Sequence, residues 1–393
     1  MKKEITMRKH LARRVALGFF VAACAVTLAF GLSACNGGDS NPEPAPAPEP
    51  APAPAPEPEP AAFVPFDFTD SCGRTVTITE PITRVAISGP VAQQVMLGFA
   101  PDLLVGLATK MDNAQIKYLG DWSSLPVLGQ LYGGKGDLNK EAVAAAKPQI
   151  MIDWGEAKKT IVEDMDNLST ELGIPCVHIE ATMDTYDEAY RLLGKLLGME
   201  DRAEAIAQYC AKAFASTTAG LAKVTTKESG IMVTESSGTL GVLAKDSYQS
   251  QVFDMCVDNI AVLENPSAKG TGNATDMEQI ATWAPAFVLI APGDLYESAA
   301  DDSVWATIPA IASGNYLEIP GEPYNWLFGP PSVNQVLGMV WLSRTLYPDA
   351  FSDTAKDVVV EYFKLFYSHD LTDAEYAALT ANSVFKDGMA KAA

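Results

Sequence analysis

The chain has 393 residues, 48% of them apolar, which is enough for two ordinary domains with a sizeable core and argues against a disordered body. Acids outnumber bases by 49 to 28. Six of the bases and one acid lie before Cys35, leaving 22 bases against 48 acids, a net of −26, in the remainder; so negative a surface repels nucleic acid and anionic lipid and suits solubility outside the cell.

The first residues, with bases up to Arg14, lead into VALGFFVAACAVTLAF and then LSAC. A positive start, an apolar middle and small residues at the end make a secretory signal. Its last four residues, Leu32-Ser33-Ala34-Cys35, resemble the bacterial lipoprotein signal. The resemblance implies cleavage before Cys35 and a diacylglycerol thioether on its sulfur. A plain transmembrane anchor is the alternative, since residues 15–34 are long enough to span. Both readings tether the body outside the cytoplasmic membrane. The next stretch, NPEPAPAPEPAPAPAPEPEPAA, has proline at nearly every second place. That composition favours an extended polyproline II rod, which at about 3.1 Å per residue would hold the body some 60–70 Å from its anchor.

The body opens with a predicted hairpin, FDFTDSCGRTVTIT, turning near Cys72-Gly73. Strands at RVAIS, LLVGLA, QIMID and PCVHI alternate with helices at VAQQVMLGF and at residues 140–146, 156–172 and 184–197. Alternation of this kind predicts a mostly parallel sheet covered on both faces, and apolar runs such as RVAIS suit strands buried on both sides. Residues 200–224 have apolar side chains at helical spacing, no proline and one glycine, Gly220. They predict a stiff helix roughly 37 Å long. The grammar then repeats. Strands are expected at GIMVTE, TLGVLA, NIAVL, AFVLI and NYLEIP, and helices at YQSQVFDMC, around Glu278, and at residues 332–346, 354–367 and 373–379. Four cysteines of the body (Cys72, Cys176, Cys210, Cys256) are scattered without a CxxC pair, and sequence alone does not pair them.

One phrase occurs twice. NKEAVAAAKPQIMI and DMEQIATWAPAFVLI each carry a glutamate (Glu141, Glu278), a β-branched residue two places on and a proline seven places on, then an apolar run. A separation of 137 residues is too long for a solenoid period and points to two related lobes. The fold class expected is therefore α/β: two lobes with mostly parallel sheets, joined by a single long rigid helix, with a ligand cleft between them.

This arrangement resembles the substrate-binding proteins of ABC importers for ferric siderophores, haem and cobalamin. The resemblance covers roughly residues 66–379. It is carried by DSCGRTVTI, PITRVAIS, LNKEAVAAAKPQIMI and YRLLGKLLGMEDRAEAI, four elements in the family's order. Gln149 stands where the family usually has Asp. A narrower likeness, YNWLFGPPSVNQVLGMVWLSRTLYPD, is to a branch that includes binders of metal chelates and of molybdate or tungstate. Members of that branch often have a basic residue before the paired prolines; Gly329 stands there in this chain, which weakens an oxyanion reading. The resemblance implies an ABC importer permease as partner, with Glu141 and Glu278, one per lobe, forming salt bridges to its arginines. First-turn placement favoured by the helix dipole is the plainer account of both glutamates.

Ligands of open α/β sheets sit beyond the carboxyl ends of the strands. That rule selects Ser88, Tyr132, Gly133, Lys135 and Trp154 in the first lobe, and Ser236, Tyr324 and Trp326 in the second, as ligand-binding candidates. Aromatics offer flat walls to a chelate, glycines let backbone approach, and Lys135 suits an anionic group. Packing in the core or at the rim is the alternative for each aromatic. YGGKGD is not a phosphate loop, because it lacks the spacing and the Ser/Thr after Lys. Catalysis and bare metal find no support: there is no HExxH, no GxSxG, and only His10, His178 and His369. No cofactor, catalytic residue or metal ligand is expected.

The expected organisation is a signal over residues 1–34, a lipidated Cys35 with spacer over 35–62, an N-terminal lobe over 63–199, the helix over 200–224 and a C-terminal lobe over 225–393. The expected function is that of a monomeric, lipid-anchored extracytoplasmic protein. It captures a metal chelate (ferric siderophore, haem or corrinoid) and delivers it to an importer. A molybdate or tungstate receptor is the alternative, and a surface adhesin or enzyme on the same scaffold a more distant one.

Overall fold

Two sheets, one parallel and one mixed, share one core, in a computed structural model that describes residues 63–132 and 137–385. The secretory signal, Cys35, the proline-rich spacer and the last eight residues lie outside the described residues, as do Gly133 and Lys135. Among the described residues no helix is long and apolar enough to cross a membrane.

The first lobe begins with the expected hairpin, β1 (Phe66–Thr69) and β2 (Thr75–Ile78). There follow β3 (Val85–Ile87), α1 (Pro90–Phe99), α2 (Asn113–Leu119), α3 (Lys140–Ala146), β4 (Ile150–Gly155), α4 (Ile161–Leu172), β5 (Cys176–Glu180) and α5 (Tyr186–Leu197). Strands β3, β4 and β5 pair in parallel in that order. The long helix α6 (Glu200–Leu221) comes next; at 1.5 Å per residue it is about 33 Å long.

The second lobe holds β6 (Ser229–Ser236), β7 (Thr239–Val242), α7 (Gln251–Cys256), β8 (Asp258–Asn259), β9 (Asn273–Ala274), α8 (Met277–Trp283), β10 (Phe287–Ile290), α9 (Leu295–Asp301), α10 (Pro309–Ala312) and β11 (Tyr316–Glu318). Its centre, β11-β10-β6, is parallel; β7 and β9 extend it antiparallel, and β8 pairs with the start of β6. Helices α11 (Asn334–Leu346), α12 (Ala355–Tyr367) and α13 (Asp373–Leu379) close the described chain.

Strand alternation explains the shared core. Ile150, Ile152 and Trp154 of β4 face the same cluster as Met232 of β6 and Phe287 and Leu289 of β10. Their neighbours point the other way: Met151 to a separate cluster behind the first sheet, and Ile231, Val233, Val288 and Ile290 to one behind the second. Both sheets are thus buried on both faces, which is why their strands read as unbroken apolar runs.

The repeated phrase is a repeated structure. Helices α3 and α8 have seven residues each, capped by Asn139 and Asp276, whose side chains accept from the N–H of Ala142 and Gln279. Each ends in a left-handed residue, Lys147 (φ 49°) and Ala284 (φ 48°), then enters a central strand. Val143 and Ile280 are the side chains that each helix buries.

Three sequence expectations differ. Residues 103–108 form no continuous strand; they touch the sheet through single bridges, Val85 with Leu104 and Leu107 with Val127. Gly106 lies between them, and a Cβ there would fall 2.5 Å from Leu128 Cγ, so this backbone is packed too closely for a regular strand residue. Residues 156–160 are a loop, not the first turn of α4, because the chain turns at Lys158 (Ile161 N–H donates to its carbonyl, 3.0 Å). The expected strand at 259–263 shrinks to β8, since Val262 N–H turns back to the Ile260 carbonyl. Among the described residues all four body cysteines are free thiols, three of them buried.

Candidate functional site

Parallel strands send every following loop to one edge of the sheet. In the first lobe that edge carries Ser88, Gln130 to Tyr132, and residues 154–160. The loops adjoin: Leu131 N–H donates to the Ser88 carbonyl at 2.6 Å. Helices α3 and α8 run back against the strands they precede, so their first turns, with exposed Glu141 and Glu278, lie at the same edges.

Polar side chains join the lobes. Gln251 of α7 donates Nε2–H to Glu156 Oε1 (2.8 Å), and Tyr186 of α5 donates its hydroxyl to Gln335 Oε1 of α11 (2.8 Å). Gln335 Nε2–H reaches Gln251 Oε1 at 3.3 Å, making one continuous chain. Tyr248, half-buried beside it, has its phenol pushed up to about 12 by burial and then by the charges of Glu156 and Asp153.

The expected ligand residues divide. Tyr132 is half-buried at the edge, its hydroxyl donating to Asp164 Oδ2 (2.7 Å), with the Lys158 ammonium over its ring. Burial first, and then that hydrogen bond, hold its phenol well above the usual tyrosine range. Ser88 is on the same edge but turned inward: its hydroxyl donates to buried Asp153, whose other oxygen pairs with His178 Nδ1 at 2.7 Å. Trp154 is buried beneath the edge against Tyr190, ring centroids 5.2 Å apart, with Nε1–H unpartnered. Ser236 is exposed where β6 turns into β7. Tyr324 is buried with its hydroxyl unpartnered, and burial raises its pKa.

Trp326 is enclosed rather than set at a rim. It is 0% exposed, its indole N–H donates to the Glu322 carbonyl (2.9 Å), and its ring stands edge-on to Trp341. The backbone of Trp326 lies against α11 at Gly338, where a Cβ would come 2.4 Å from the Trp326 carbonyl oxygen. It packs as a wall of the core. Glu156, Lys158, Tyr186, Gln251 and Gln335 were missed by sequence reasoning. The first two fall in a charged stretch that helical spacing absorbed, and Gln335 sits unmarked inside PPSVNQ.

A cavity of about 440 Å³ opens at the other end of α1, lined by Leu97, Phe99, Leu103, Met199, Arg202 and Tyr367 among others. It faces away from the strand carboxyl ends and takes no part in this edge. Among the described residues no group of three or more His, Cys, Asp or Glu is placed to hold a metal ion.

Comparison with known proteins decides the family. The model of the periplasmic binding protein family matches residues 105–323, more than half of the chain. The chain belongs to this family. As a periplasmic binding protein it shares its fold with an ABC transporter solute binding protein from Sulfurospirillum deleyianum, at 22% identity and a TM-score of 0.73 over 80% of this chain and 99% of that one. The molybdate-bound molybdate periplasmic binding protein MolA of Haemophilus influenzae superposes at 20% identity and a TM-score of 0.62, covering 78% and 99% of the two chains. The catecholate-siderophore binding protein VctP of Vibrio cholerae does so at 18% identity and 0.52, covering 72% and 99%. In sequence, 94 residues are 31% identical to the molybdate-binding protein MolA, 23% of this chain and only 26% of that relative.

Proposed function

We propose that this periplasmic binding protein is a lipid-anchored receptor that captures a metal chelate and hands it to the permease of an ABC importer. In this reading residues 1–34 are removed and Cys35 with the spacer to residue 62 tethers the body. Residues 63–199 and 225–393 form the lobes, and the helical stretch 200–224 joins them. The observation that carries the importer reading is the matched pair of exposed glutamates. Glu141 and Glu278 occupy the same position in two seven-residue helices, each with a side-chain N-cap bonded to the third helical N–H and a left-handed C-cap, one on each lobe. Among the described residues neither has a cation within 4 Å. Charged pairs at a wet interface set register and encounter rate, the tasks of a receptor that docks and releases.

A chelated metal is the cargo favoured here, because the half-buried ring of Tyr132 at the edge offers a flat wall to a chelator. A molybdate receptor is the second reading, favoured by the local identity to MolA.

Glu141→Arg combined with Glu278→Arg should abolish uptake in cells while the purified protein keeps its ligand affinity. Persistent uptake would refute the docking role.

A further inference from the structure

The cavity of about 440 Å³ at the far end of α1 has the make-up of a small-molecule site, and the receptor reading leaves it unused. Three helix ends meet there: the last turns of α1 and α12 and the first turn of α6. The walls are mostly apolar. Leu97, Phe99 and Phe366 belong to the buried core, and Leu103 and Met199 are partly buried against it. Gly98 lets α1 and α12 come together at this corner, since a Cβ there would lie 3.1 Å from the Phe366 carbonyl oxygen.

Arg202, in the first turn of α6, is the one cation among the residues that line the cavity. A guanidinium carries five N–H groups. That of Arg202 has a single acceptor among the described residues, the Gly98 carbonyl, which its Nη2 reaches at 2.7 Å. Each of the other four described arginines has at least two. No carboxylate of the described residues lies within 4 Å of Arg202, unlike Arg74, Arg191 and Arg344. Its Nε is buried without a partner, and its Cζ stands 5.9 Å from the centroid of the Phe99 ring, which holds the group against the wall. A buried, under-used guanidinium gains most from a carboxylate, which accepts two of its N–H groups at once. Asp102 in the lining, with exposed Glu200 and Asp201 beside Arg202, disfavours a head carrying more than one negative charge.

We propose that this corner binds a medium-chain aliphatic monocarboxylate, its chain among Leu97, Phe99, Leu103 and Phe366 and its head on Arg202. The site lies away from the strand-end edge, so this inference goes beyond the receptor reading and neither depends on the other.

The test is calorimetric titration of the soluble body beginning at Phe63, which holds the whole described core, with hexanoate, octanoate and 1-octanol. Octanoate should bind about tenfold tighter than 1-octanol, the scale of one charge-assisted hydrogen bond. Each methylene from hexanoate to octanoate should add about fourfold. Arg202→Gln should erase the preference for the acid over the alcohol. Leu103→Trp, which fills the cavity and leaves the guanidinium in place, should weaken both octyl probes at least tenfold. Equal affinity for octanoate and 1-octanol in the wild type, or no saturable binding of either, overturns the inference. So does a preference that survives Arg202→Gln. Octanoate affinity unchanged by Leu103→Trp would put the fatty acid elsewhere on the molecule and overturn it too. Each of these results leaves the receptor reading standing.

Discussion

Asp70 shows what a single residue of the opening motif does. It is buried, and its carboxylate accepts from the N–H groups of Cys72 (3.0 Å), Arg74 (2.9 Å) and His178 (3.3 Å) and from Arg74 Nη1 (3.1 Å). Arg74 in turn donates to the Cys176 carbonyl at 2.8 Å. The Asp-x-x-Gly-Arg phrase that marked the family is thus a clasp fastening the β1–β2 hairpin to β5. Removing the acid would leave Arg74 only its exposed partner Asp166 (2.8 Å) and strip the N–H groups of Cys72, Arg74 and His178 of their acceptor. Asp70→Ala should therefore cost about 1–3 kcal/mol in urea unfolding, and a loss under 1 kcal/mol would contradict the clasp. Residue-level reading of the strand-end edge was less complete. The strand-end rule put Ser88, Tyr132 and Trp154 at or beneath one edge of the first sheet, but gave no sign of which way they face. Ser88 turns inward because Asp153, 65 residues away, accepts its hydrogen bond; Trp326 is enclosed because Gly338 admits its backbone. Such orientation depends on partners distant in sequence, and local pattern carries no trace of them.

Elements were more legible than orientations. Helix α3 begins and ends at the expected residues, and α6 differs only at its end, because periodic apolar spacing and capping are local signals. The errors fall where tertiary contact overrides such signals, at residues 103–108 beside Gly106 and at 156–160 where the chain crosses toward α7. The Leu-Gly-Lys phrase of α5 has an element-scale cause: a Cβ on Gly194 would lie 2.3 Å from Ala203 Cβ, so glycine lets α5 and α6 pack in contact. Gly194→Ala should destabilise the body by about 1–3 kcal/mol, read as a lower urea midpoint, and Ala203→Gly in the same chain should restore part of it. An unchanged midpoint in the single variant would show that the helices separate without penalty.

Across the whole molecule, one continuous core runs from the first sheet through α6, α11 and α12 to the second, and hydrogen bonds from Tyr186 to Gln335 and from Gln251 to Glu156 span the lobes above it. Strand–helix alternation and the repeated phrase were enough to anticipate two α/β lobes, and apolar spacing over residues 200–224 the stiff helix. The ligand was not legible, because local sequence pattern does not show which side chains at the strand ends turn outward. Trp154, buried beneath that edge, makes intrinsic fluorescence a reporter of its occupancy. The most direct test is a fluorescence titration of a soluble body beginning at Phe63 with ferric siderophores, haem, a corrinoid and molybdate. Saturable quenching by one metal chelate at micromolar concentration or tighter is the predicted result; a response to molybdate alone, or to none of them, would contradict the account.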